Sequence, residues 1–273
     1  MVRFSSFKYF VLIILFLFFA LCIYGCNFNR FRLHDQRVVV VAIASSLGDV
    51  MAEIKTEFLA KYPEVNLVFN VASSGVLAQQ IRQNAPVDIF ASADLSLIQR
   101  LIDEKKISSK DNKIFAHNRL VLAASTQSEI KLSSLDSLVK TDIQKIALGN
   151  PNSVPAGRYA KNALGRSPSM PNLYESLQKQ QKLVFGENVR QVLAYLENQV
   201  ADVGFIYQTD LRPTSKARSL LILDPKLTGE ISYGIAPIQQ GLKKVGTQNF
   251  IDFVLSPQGQ QIIKEYGFLA LRD

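Results

Sequence analysis

The amino-acid sequence predicts an α/β fold built largely on parallel strands. Three observations carry this. Short apolar runs rich in β-branched residues recur along the chain, as expected of strands buried on both faces. Segments with apolar residues at helical spacing separate them, and such a strand–helix alternation places successive strands parallel with helical crossovers. The composition supplies a core, with 48% hydrophobic and 20% charged residues, a globular and not a disordered balance.

The elements follow in order. Residues Asn27 to Gln36 are polar with scattered aromatics and read as a tether. Val38 to Ile43 is a continuous strand-forming run. Leu47, Val50, Met51, Ile54, Phe58 and Leu59 then recur at helical spacing up to Lys61-Tyr62-Pro63, where proline ends the helix. Val65 to Val71 is the next strand, and a short helix carries Leu77 and Ile81. Val87 to Ala91 is a strand and Ser96 to Lys105 a helix. A second α/β set begins at Leu120 to Ala124. It continues with a strand at Lys145 to Leu148, a helix from about Gly157 to Leu164, a helix from Val189 to Asn198 and a strand at Val203 to Tyr207. Arg166-Ser167-Pro168-Ser169 and Arg212-Pro213-Thr214-Ser215 read as loops. A last helical stretch, Thr247 to Tyr266, is interrupted at Ser256-Pro257.

The start of the chain says where the body works. Arg3 and Lys8 precede an apolar stretch from Tyr9 to Gly25, the pattern of a secretory leader. Its end, Ile23-Tyr24-Gly25-Cys26, resembles a bacterial lipobox, in which the cysteine is lipidated and becomes the new N-terminus; Tyr24 is bulkier than usual there. An uncleaved membrane anchor and an ordinary signal peptide are the other two readings, and all three export the body. Both cysteines, Cys22 and Cys26, lie in this segment. The body therefore has no disulfide, no thiol nucleophile and no thiolate metal site. The net charge of +8 is spread out, and the short basic runs such as Lys243-Lys244 lack aromatic interleaving, which argues against a nucleic-acid surface.

Ala-Ser-Ser occurs twice where a strand runs out and a helix begins, at Ala44-Ser45-Ser46 and Ala72-Ser73-Ser74. Each presents hydroxyls and unpaired backbone N–H groups at a helix start, the chemistry of an anion site. Pro155-Ala156-Gly157 and Asn188-Val189-Arg190 open two further helices, one with a first-turn proline and one with a natural N-cap. Each start is worth about half a positive charge before screening. Taken singly, Ser and Asn at such places are ordinary N-caps, and Tyr207 at a strand end is ordinary packing. Catalytic patterns are weak. His34 lies in the tether and His117 stands alone before Asn118-Arg119, so neither a metal pair nor a Ser–His partnership is apparent. Asp88 and Asp94 near a strand end read as turn or cap residues, and no G-x-S-x-G, P-loop or G-x-G-x-x-G occurs.

These motifs, in this order, resemble the periplasmic molybdate-binding receptors of ABC transporters (ModA). The resemblance runs from about Val38 to Phe268 and rests on Ala44-Ser45-Ser46-Leu47, on Ala72-Ser73-Ser74 followed by Leu77-Ala78, and on Ala85 to Asp94. Val154-Pro155-Ala156-Gly157-Arg158, Asn188-Val189-Arg190, Gly204-Phe205-Ile206-Tyr207 and Ser256-Pro257-Gln258-Gly259 complete it. It implies a type II periplasmic-binding-protein fold, with two α/β lobes around a ligand cleft joined by a two-strand hinge. Residues 1–26 would be the leader and lipobox and 27–37 the tether. Lobe I would combine 38–118 with 236–273, and lobe II would be 119–235. It further implies ligands: the Ser46 and Ser74 hydroxyls from one lobe, and the Ala156 and Val189 N–H groups and the Tyr207 hydroxyl from the other. These same residues would hold molybdenum as molybdate, or tungstate.

The function so implied is an exported, monomeric receptor that delivers molybdate to an ABC permease in the cytoplasmic membrane, with no cofactor, no catalysis and a lipid anchor at Cys26. Molybdate is a deprotonated tetrahedral dianion that offers only acceptors, so its site should offer only donors. Asp49 is therefore expected to face away or cap its helix, and Arg158, just past Ala156-Gly157, either to lend charge from behind the site or, the favoured reading, to point into solvent. The alternatives are a receptor for sulfate or phosphate, an exported serine hydrolase, and a sensor subunit that binds the oxyanion and reports to a membrane kinase.

Overall fold

The computed structural model describes residues 37–139, 142–269 and 271. The leader, Cys26, His34 and the tether up to Gln36 lie outside the described residues. No helix among those described is long and apolar enough to cross a membrane.

Two five-stranded sheets form the body. The first has the order β2-β1-β3-β10-β4, from β1 (Val38–Ala44), β2 (Asn66–Ala72), β3 (Ile89–Ser92), β4 (Lys113–Asn118) and β10 (Ile231–Pro237). The second has the order β7-β6-β8-β5-β9, from β5 (Leu120–Ser125), β6 (Ile146–Gly149), β7 (Leu183–Gly186), β8 (Val203–Tyr207) and β9 (Ala217–Ile222). The expected parallel pairs are present: β1 with β2 and β3, and β6 with β7 and β8. The chain crosses between sheets at Asn118-Arg119-Leu120 and again between Ile222 and Ile231. β10 pairs antiparallel with β4 from Ile231 and with β3 from Gly234, so the chain rejoins the first sheet at Ile231.

The helices are α1 (Gly48–Lys61), α2 (Ser74–Arg82), α3 (Leu95–Asp103), α4 (Pro155–Gly165), α5 (Leu173–Lys179), α6 (Val189–Glu197), α7 (Pro225–Thr228), α8 (Val245–Leu255) and α9 (Pro257–Glu265). The interruption at Ser256-Pro257 separates the last two, and the Ser256 hydroxyl caps α9 by accepting the Gly259 N–H at 3.2 Å. Strand β1 shows how the first sheet is filled. Val39, Val41 and Ile43 join one apolar cluster with Met51, Ile54 and Phe58 of α1, whereas Ala42 joins Leu77, Ala78 and Ile81 of α2 on the other face. That two-sided burial is why β1 reads as an unbroken apolar run. Phe58 of α1 meets Phe250 of α8 edge-on at 5.2 Å, which ties the C-terminal helices to the first lobe. Asp88 is structural: it accepts the Val40 N–H and pairs with Lys244, both at 2.8 Å.

Candidate functional site: the seam between the lobes

The two serines do not cap their helices. Ser46 lies in a short 3-10 turn, Ser45–Leu47, ahead of α1, whose N-cap is Leu47. The Ser46 Oγ instead lies 3.1 Å from Tyr233 Oη, in a buried contact. Ser74 is the first residue of α2; Ser73 holds the cap position without a capping bond, and its buried Oγ has no partner among the described residues. Ser74 Oγ accepts the Ala93 N–H at 3.1 Å. A hydroxyl that accepts a backbone N–H has its own proton left for another acceptor. The ordinary N-cap role considered for these serines therefore does not hold.

The second lobe contributes N–H groups. Pro155 occupies the first helical position of α4 and Ala156 the next. Asn188 caps α6 by accepting the Gln191 N–H at 3.0 Å, which leaves Val189 as the first helical residue. First-turn N–H groups have no carbonyl one turn back to bond. Ala156 and Val189 are both buried. Tyr207 ends β8, and its Oη is buried with no hydrogen-bond partner among the described residues. Burial pushes the Tyr207 pKa well above its ordinary value, so it remains a phenol and a donor.

Contacts across the seam bring these groups together. The Gly75 N–H at the start of α2 donates to Ser153 O at 3.0 Å, just ahead of α4. Tyr159 of α4 donates to Ala93 O at 3.4 Å, on the residue whose N–H is accepted by Ser74. Arg190 of α6 donates to Ser45 O at 3.4 Å, beside Ser46. The Tyr207 and Tyr233 rings meet at 5.9 Å. All five expected ligand residues thus lie along one buried seam between the sheets.

The expectations for Asp49 and Arg158 are corrected. Asp49 neither caps α1 nor faces away; it is bonded to Arg190 of the opposite lobe. Arg158 does not simply point into solvent; its Nη2 lies 2.6 Å from buried Asp94, which also caps α3 by accepting the Ser96 N–H. Arg190 further faces Asp210, with Nε and Oδ1 3.5 Å apart. Asp210 is fully buried, and burial raises its pKa to about 6 against the opposing pull of Arg190 and the Tyr207 N–H. That N–H donates to Asp210 Oδ2 at 2.9 Å. Asp49, Asp94 and Asp210 at the seam each face an arginine, and the buried Asp210 Oδ1 makes no hydrogen bond among the described residues. Sequence reasoning missed Arg190, Asp210, Asn118 and Tyr233 as parts of this network. Asp210 gives no readable signal, because tyrosine is not an N-cap residue type, and Tyr233 gives none, because its partners come from distant segments.

The catalytic alternative gains little. Contrary to expectation, His117 has a serine partner: its Nδ1 lies 2.9 Å from Ser232 Oγ. The same nitrogen lies 3.4 Å from Glu230. A nucleophile and an orienting carboxylate need opposite nitrogens of the ring, so this is no triad. No cluster of three or more His, Cys, Asp or Glu that could hold a metal ion occurs among the described residues.

Comparison with known proteins agrees with this architecture. A Bacillus subtilis protein assigned as an ABC transporter substrate-binding lipoprotein, YvgL, is 29% identical, over 92% of this chain and 94% of its own. The molybdate-binding protein ModA of Escherichia coli is 32% identical, over 86% of this chain and 90% of its own. A solved structure assigned as the substrate-binding domain of a molybdenum ABC transporter from Clostridium difficile has a TM-score of 0.64 and 34% identity, covering 86% of this chain and 99% of that one. The family model of bacterial extracellular solute-binding proteins matches residues 39–269, and the chain belongs to that family of receptors.

Proposed function

We propose that the protein captures molybdate, and tungstate by the same chemistry, and hands it to an ABC permease. The observation that carries this is the donor inventory of the seam. Ser74 has a free proton because it accepts from Ala93, Tyr207 has a buried hydroxyl with no partner among the described residues, and two helix starts present N–H groups. Burying a dianion is costly unless each oxygen is hydrogen-bonded, and charge-assisted bonds of this kind are the strong ones. The names of the relatives support the same ligand. Ser46, Ser74, Ala156, Val189 and Tyr207 are the proposed ligands. The protein acts as a monomer without turnover, and the lipoprotein relative supports Cys26 as a membrane anchor.

A ligand that binds only the folded, closed protein raises its stability by mass action. Molybdate at about 100 times its Kd should therefore stabilise the full-length protein in detergent by about 2.7 kcal/mol, read as an upward melting shift. No shift with molybdate would contradict the proposal. Ser74→Ala should weaken molybdate binding by about 1.5–3 kcal/mol, one charge-assisted hydrogen bond; an unchanged affinity removes Ser74 from the site.

Closure of the lobes has its own signature. Arg158→Met leaves buried Asp94 without its cross-seam partner. Because the Arg158 side chain is 37% exposed, the full cost of breaking a buried pair is reduced by solvent. Stopped-flow measurement should show molybdate release about three- to tenfold faster with little change in association. Equal release rates would show that the pair does not hold the lobes together.

A further inference from the structure

A hydroxyl can meet an anion with its proton or with a lone pair, and buried groups behind Ser46 decide which. Asn118 Oδ1 accepts the Arg119 N–H at 2.8 Å, which fixes the orientation of the amide. Its Nδ2 then faces the other way and donates to Thr209 Oγ1 at 2.9 Å and to Tyr233 Oη at 3.3 Å. An amide nitrogen only donates, so Tyr233 accepts from it. Tyr233 is fully buried and keeps its proton, because burial raises its pKa far above the ordinary value. That proton is directed to the remaining neighbour, Ser46 Oγ, at 3.1 Å. Ser46 therefore accepts from behind and has its own proton to donate forward.

We infer that Asn118 and Tyr233 are specificity-determining positioning residues, which hold Ser46 as a donor so that the site takes a fully deprotonated tetrahedral dianion and rejects an oxyanion that carries a proton. Neither touches the anion. The inference rests on the reading of Ser46 as a ligand. Hydrogen phosphate brings an O–H group that needs an acceptor. Against a one-way relay it meets a second proton, and a buried donor is left unsatisfied. Of the carboxylates that would serve as acceptors, Asp49 and Asp94 are bonded to Arg190 and Arg158, and Asp210 accepts the Tyr207 N–H and faces Arg190 at 3.5 Å, with its Oδ1 otherwise unbonded among the described residues.

Two substitutions test the relay by different means. Tyr233→Phe removes the proton supplied to Ser46 but keeps the ring, which packs edge-on against Phe115, Tyr207 and Phe268. Asn118→Asp turns the relay round: the carboxylate accepts from Tyr233, Tyr233 accepts from Ser46, and Ser46 presents a lone pair. The full-length protein and both variants would be titrated with molybdate and with inorganic phosphate at neutral pH. Molybdate affinity is expected to fall about tenfold in Tyr233→Phe and further in Asn118→Asp, and the molybdate-to-phosphate ratio about tenfold in each. A purely structural disturbance weakens both anions alike, so a ratio within about twofold of wild type in the folded variants overturns the inference. Should Asn118→Asp not fold, Tyr233→Phe alone decides. Absence of molybdate binding by the wild type would overturn the receptor reading itself, which is a separate result.

Discussion

Gly157→Ala is expected to destabilise the protein by about 3 kcal/mol and to weaken anion binding by about tenfold or more. Alanine for glycine within a helix ordinarily adds about 1 kcal/mol, so the expected sign is reversed. The cause is the close seating of α4 on the end of β6. A Cβ at Gly157 would lie 1.8 Å from Gly149 O and 2.5 Å from Gly149 C. Backbone at a strand end cannot move aside as a side-chain tip can, so the start of α4 must lift. Ala156, whose N–H is a proposed ligand, lifts with it. Gly165 at the other end of the same helix is the control, since a Cβ there meets nothing within 4 Å. Urea melts should show Gly165→Ala at or near wild-type stability and Gly157→Ala well below it. Equal stability of the two variants would contradict this account of how the α4 start is positioned.

Stability of the wild type should fall as pH rises from about 4 to about 6, by up to about 3 kcal/mol from Asp210 alone. The direction follows from burial. The pKa of Asp210 rises from 3.8 to about 6, chiefly by desolvation. The folded state then holds the proton more tightly than the unfolded state. This contribution is present in full below about pH 4 and is lost as pH rises through about 6. Arg190 and the Tyr207 N–H oppose the shift, and Asp49 adds to it. Asp210→Asn removes the titrating group, so thermal melts across this range should flatten relative to wild type. A variant that retains the full pH dependence would place its origin elsewhere.

Much of the fold was legible because its central strands are buried on both faces. β1 and β8 read as apolar runs without gaps, and α1 and α6 show plain helical spacing, α1 with a recognisable end before Pro63 and α6 with a recognisable cap at Asn188. Other strands were not legible, whether at a sheet edge, as β4, or inside a sheet and fully buried, as β10. β4 mixes Lys113, His117 and Asn118 with apolar residues and has an exposed start. β10 contains Gly234 and Pro237 and is held by β3 and β4, far away in sequence. β9 and α5 were likewise missed, and α5 begins after Asn172 in a left-handed conformation. The site divides in the same way. Ser46, Ser74, Ala156, Val189 and Tyr207 stand at element ends that local patterns reveal. What orients them does not: the Ala93 N–H on Ser74, Tyr233 behind Ser46, and the arginines that hold Asp49, Asp94 and Asp210 all arrive from other segments. Asp49 and Arg158 were misjudged for this reason. A charge near an anion site has no visible partner until the second lobe is in place.

The central claim is that the seam is a donor site for a deprotonated tetrahedral dianion, and for molybdate above others. Sulfate shares the charge and shape of molybdate but is smaller, so direct competition between them is the sharpest comparison. Calorimetric titration of the full-length protein with molybdate, tungstate, sulfate and phosphate measures it. The account predicts tight binding of molybdate and tungstate, weaker sulfate and weakest phosphate. Tight sulfate or phosphate binding without molybdate binding would contradict it.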